Sequence, residues 1–135
     1  MSTWSDHDLE AKVLEVLYGV PLENPLGHPF HRPFLTAYQV AICIDRRWPE
    51  VRESLGLPLG GLGIGARNSF AQYLARELSR RARAQTLSAE IEGGFLASQE
   101  VASLSFRGDD GVDFSASFVE SGYDLSMYRI RPASN

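Results

Sequence analysis

A chain of 135 residues with 44% hydrophobic side chains is long enough to bury one core and too short for two, so a single domain over residues 1–135 is expected. The longest apolar run, Val40 to Ile44, falls far short of the roughly 20 residues of a membrane-spanning helix. The acidic N-terminus is also unlike a secretory signal, so a cytoplasmic protein without membrane contact is expected. The net charge of −4 conceals an uneven distribution: −4 over residues 1–45, +5 over 46–83, −7 over 84–128 and +2 in the tail. A basic middle lies between acidic segments, suited to an acidic partner, to the acidic C-terminal third, or to a second copy. Twelve of the 13 basic residues are Arg, a bias expected of a GC-rich bacterial genome and one that favours planar, bidentate contacts.

In chain order, Asp6 and Asp8 precede Leu9, Val13, Val16 and Leu17, whose spacing predicts an amphipathic helix over 6–18 ending at Gly19 and Pro21. Four prolines between Pro21 and Pro33 make an extended connector. A second helix should begin near Pro33, bury Leu35, Tyr38, Val40, Ala41, Ile42 and Ile44, and end at Arg46 and Arg47, where the helix dipole favours cations. Pro49 opens a short third helix to Leu55, closed by Gly56.

A glycine-rich turn (Gly60, Gly61, Gly63, Gly65) then leads into a fourth helix over 66–84. At about 100° per residue, Phe70, Ala71, Leu74, Ala75, Leu78 and Ala82 fall on one apolar arc, the mark of a helix packed on a core. Asn68, Ser69, Gln72, Arg76, Ser79, Arg80 and Arg83 form a contiguous polar arc without a carboxylate, with Glu77 outside it.

After Gln85 the period becomes two. Residues 87–92 and 101–106 read as strands, and Val112, Phe114, Ala116 and Phe118 alternate with Asp113, Ser115, Ser117 and Val119. Tyr123, Leu125 and Met127 continue the pattern, so 101–130 is expected to be an antiparallel meander. The expected class is α+β: a helical N-terminal half of about four helices packed on a small C-terminal antiparallel sheet, with a winged-helix-like arrangement open.

Most catalytic readings lack support. The run GGLGIGA follows a helix rather than a strand and lacks the Lys then Ser/Thr of a phosphate loop, so a structural turn is the better reading and anion binding stays open. His28 and His31 lack the second paired half that makes zinc spacing persuasive. Cys43, inside an apolar run, reads as a small hydrophobe. Glu90, Glu92, Asp109, Asp110 and Asp113 are acidic, but Lys12, the sole lysine, is remote, and the calcium-loop spacing is missing. Ser69, Ser79 and Ser126 have no neighbouring His in sequence. No cofactor, metal or catalysis is therefore expected.

Two functions compete. A small DNA-binding protein would use a helix-turn-helix variant, with Arg67, Asn68, Ser69, Gln72, Arg76, Ser79, Arg80 and Arg83 as its nucleic-acid-binding residues. Against it stand the long connection from Gly56 to Gly65 and the aspartates of the candidate wing at 108–111. The alternative is a noncatalytic assembly subunit that binds a protein partner or itself through the basic helix face or an uncovered strand edge.

Overall fold

The computed structural model describes residues 3–21, 30–59, 69–108, 113–117 and 125–132. The chain starts with two helices, α1 (Thr3–Asp6) and α2 (Leu9–Tyr18), where one was expected. The break falls at Asp8, whose φ of 50° is left-handed and whose side chain makes no cap hydrogen bond. Aspartate tolerates that conformation better than most residues, so it turns the chain between the two helices without a side-chain cap bond. Along α2, Leu9, Val13, Val16 and Leu17 are buried, as their i, i+4, i+7, i+8 spacing requires.

Residues Leu35–Thr36 form a short strand, β1, and the next helix, α3 (Ala37–Arg47), begins only after it. The cause is a capping box. Thr36 Oγ1 accepts from the Gln39 amide at 3.2 Å, while Gln39 Oε1 accepts from the Thr36 amide at 2.7 Å. The start of α3 is thereby fixed four residues beyond Pro33. Helix α4 (Pro49–Leu55) has proline in its first turn and ends at Gly56, whose φ of 65° suits glycine and whose amide reaches the Arg52 carbonyl at 3.0 Å. Helix α5 (Phe70–Arg83) buries Phe70, Ala71, Leu74 and Leu78.

Four further strands follow: β2 (Ile91–Leu96), β3 (Ser103–Phe106), β4 (Phe114–Ser117) and β5 (Leu125–Ile130). They do not form one meander. Strands β3 and β4 make a separate antiparallel hairpin, whereas β5 lies between β1 and β2 in a three-stranded antiparallel sheet. Register runs from Ile91 opposite Ile130 to Leu96 opposite Leu125. Period-two patterning identifies a strand and its buried face but carries no information about its neighbour. Strand β2 starts later than expected because Ser88 to Glu90 turn first, with the Ile91 amide donating to the Ser88 carbonyl at 3.2 Å.

The fold is thus α+β, with five helices among the described residues and small antiparallel sheets in the C-terminal part. Its core joins the layers. Leu9, Val13, Val40, Ile44, Val51, Phe70, Leu74 and Leu78 are completely buried, and each such side chain contributes about 1.5–3 kcal/mol through loss of contact with water. Helix α5 packs chiefly on α3, and α2 packs on α3 and β5. The hairpin reaches the helices through Phe106, stacked on Tyr38 at 5.1 Å between ring centroids.

Candidate functional site

The polar arc of α5 is largely committed to the protein itself. Its first described member, Ser69, is fully buried and caps the helix, its Oγ accepting from the Gln72 amide at 3.1 Å. A buried cap does not face a groove, so Ser69 leaves the set of surface contacts expected from the helical wheel. Gln72 is half-buried, and its side chain hydrogen-bonds the Tyr38 hydroxyl. Burial raises the Tyr38 phenol above its ordinary pKa, an effect that the Gln72 contact partly offsets. Ser79 is also half-buried and lies beside the Tyr128 hydroxyl.

Tyr128 has an unusual environment. Burial pushes its phenol up, and Ser126 and Ser79 lie near enough to moderate that rise. No hydrogen bond of normal geometry reaches Tyr128 Oη among the described residues.

The arginines divide. Arg80 grips Glu77 Oε2 through Nε at 3.1 Å and Nη2 at 2.5 Å, and Arg81 Nη1 binds the same oxygen at 2.7 Å. Burial alone would raise the Glu77 carboxyl, but the two guanidiniums together outweigh it and hold the group below its ordinary value. The arc therefore is not free of carboxylate charge. A wheel places Cβ atoms, whereas Arg at i+3 is long enough to carry its guanidinium back to Glu77. Arg81, outside the expected set, stacks its guanidinium over the Trp4 ring at 4.5 Å. Arg76 and Arg83 are exposed, and among the described residues Arg83 makes no ion pair. Arg67, Asn68 and the Gly60–Gly65 turn lie outside the described residues, as do His28, Asp109 and Asp110.

A second surface has the opposite character. The Arg131 amide donates to the Glu90 carbonyl at 2.7 Å, which makes Glu90 and Arg131 a hydrogen-bonded pair and sets the alternation along β2. Glu92, Gly94 and Leu96 then turn their main-chain groups to β5, while those of Ile91, Gly93 and Phe95 point away from it. No described strand pairs with that outer edge. Phe95 is 67% exposed and Gly93 is exposed. Glu92, the one charged residue of the strand, is held by Arg129 Nε at 2.6 Å and Arg131 Nη1 at 3.5 Å. The edge was not legible in sequence, since its existence depends on which strand β5 chooses as partner.

Among the described residues, tertiary folding also creates one serine–histidine contact that spacing could not reveal. His7 Nε2 lies 2.9 Å from Ser54 Oγ, and the Ser54 hydroxyl donates to the Val51 carbonyl at 2.8 Å. With the single hydroxyl proton committed to Val51, His7 is the donor in this pair, the reverse of a base activating a nucleophile. Cys43 is half-buried, and burial raises its thiol above the ordinary value against the opposing pull of Arg46 and Arg47. His31 is exposed, and among the described residues no three His, Cys, Asp or Glu side chains gather to hold a metal. No helix among them is long and apolar enough to cross a membrane.

Comparison with protein-family models, with curated proteins and with solved structures finds no match.

Proposed function

We propose that this domain is a noncatalytic protein-interaction module that accepts an extended strand on the outer edge of β2. One observation carries the reading: Gly93 and Phe95 present their main-chain groups away from β5 with no partner among the described residues, beyond Ile91, whose amide donates to the Ser88 carbonyl at 3.2 Å and whose carbonyl accepts from Arg131 Nη2 at 3.2 Å. Natural edges are commonly blunted by proline, lysine or inward-pointing charge. Strand β2, with the sequence IEGGFL, has neither proline nor lysine, its one charge is neutralised within the domain, and it exposes a phenylalanine. Such an edge suits strand addition, in which main-chain hydrogen bonds supply affinity and alternate side chains supply selectivity.

Peptide display against the 135-residue protein, followed by amide NMR, tests the reading. Selected extended peptides should shift the resonances of Ile91, Gly93 and Phe95 and leave those of α5 in place. Ligands that map only to α5, or no ligands at all, would overturn it.

DNA binding through α5 remains a second reading, favoured by the exposure of Arg76, Arg80 and Arg83 on that helix. Its support is narrower than the sequence suggested, because Ser69, Gln72 and Ser79 turn toward the protein and Glu77 offsets charge at Arg80. Without those polar side chains, phosphate contact is better served than base readout.

A further inference from the structure

Building on the edge-binding reading above, we propose that the occupant of the β2 edge is a second copy of this chain, its own β2 laid antiparallel across a two-fold axis at Gly94. An antiparallel pair related by a two-fold axis normal to the sheet keeps both helical layers on one side, and residues of one face must then oppose residues of the same face. With the axis at Gly94, Gly93 of each copy opposes Phe95 of the other. Both residues direct their main-chain groups outward, so each such pair exchanges two hydrogen bonds, and symmetry makes the pair twice. Placing the axis at Gly93 instead would set Ile91 against Phe95. The Ile91 amide already donates to Ser88, so that register leaves the Phe95 carbonyl without a partner.

Side chains agree with the Gly94 register. A Cβ built at Gly93 would meet the Tyr128 ring at 3.7 Å, so the bare backbone of Gly93 sits beside an aromatic wall. The ring of Phe95 from the other copy would cover that glycine and abut Tyr128, the aromatic rescue that glycine in a strand invites. On the opposite face Glu92 would oppose Leu96, and glycine would meet glycine at the axis. Like charges facing each other across strands are destabilising, and here none do. Glu92 also arrives neutralised by Arg129 and Arg131, so the edge is complementary to itself and offers no unpaired charge to a basic partner.

The test combines sedimentation with a symmetric cross-link. The full chain should sediment as a concentration-dependent dimer, and Phe95→Lys should weaken association by at least about tenfold while circular dichroism and melting temperature stay near wild type. In a Cys43→Ser background, Gly94→Cys should form an intermolecular disulfide on mild oxidation, because an axial non-hydrogen-bonded pair brings the Cα atoms to about 4.5 Å. Gly93→Cys in the same background should not. A wild type that stays monomeric at high micromolar concentration would overturn the second-copy proposal. So would a dimer that persists in Phe95→Lys and fails to cross-link at Gly94→Cys. In either case the peptide NMR experiment judges the parent reading separately: shifts at Ile91, Gly93 and Phe95 preserve edge binding without self-association, and their absence removes both.

Discussion

The polar side of α5 and the outer edge of β2 invert the relation between chemical richness and availability. The α5 surface has serine, glutamine and arginine, the residue types that read nucleic acid, yet Ser69 caps the helix, Gln72 serves Tyr38, Ser79 flanks Tyr128 and Arg80 shares Glu77 with Arg81. The β2 edge holds two glycines, two aliphatics, one phenylalanine and a neutralised glutamate, and leaves the main-chain groups of Gly93 and Phe95 without a partner among the described residues. Side-chain composition measures what a surface could bind, whereas folding decides how much of that capacity is already used.

The comparison breaks first if α5 is not anchored by its apolar side. Leu74→Ala removes a completely buried side chain of α5 and should cost about 2–5 kcal/mol in denaturant titration. A loss of a few tenths would mean that α5 is loosely held and its polar side available after all. Ser69→Ala should cost about 1 kcal/mol and lower the melting temperature, whereas a surface contact residue would leave both unchanged. Tyr128→Phe should be neutral or stabilising by up to about 1 kcal/mol, because it deletes a buried hydroxyl that has no partner among the described residues. A clear destabilisation would show that Ser79 is engaged with Tyr128 more firmly than the geometry indicates.

Acid sharpens the same contrast. Glu77 has a folded pKa below its ordinary 4.5, so its contribution to stability is complete above that value and is lost as pH falls through the lower folded value. Glu77→Gln should flatten the acid limb of the stability curve in that window. The smallest expected signal is in fluorescence anisotropy with a random DNA duplex at low salt, where the interaction reading expects none. Measurable binding, with a log affinity against log salt slope that falls by about two to three units in the Arg76→Ala, Arg80→Ala, Arg83→Ala triple variant, would restore the DNA reading.

Local chemistry was legible where it sufficed. Pro49 and Gly56 bound α4 as expected, and the spacing of Leu74 and Leu78 placed them in the core. The Thr36–Gln39 capping box starts α3 at Ala37, although the apolar residues from Leu35 onward fit a helix beginning near Pro33 as well. What could not be read was relational. Nothing in the alternation of Leu125 to Ile130 names β1 and β2 as neighbours, and Gln72 and Ser79 look like surface residues until Tyr38 and Tyr128 arrive from other elements. Helix periodicity locates a polar side, while the tyrosines that occupy it come from distant sequence.

Strand β5, last in order among the described strands, is the central strand of its sheet, and this governs the order of assembly. During synthesis β1 emerges first and β2 much later, yet neither can pair until residues 125–130 exist. Joining Leu35 to Tyr128 also closes a loop of most of the chain, the kind of non-local contact that slows folding. A nascent or truncated chain lacking β5 would expose both sides of β2 at once, converting a strand with one open edge into one with two. Chaperone dependence and inclusion-body formation should therefore rise sharply for chains ending before Leu125, even though the helical core would be fully synthesised.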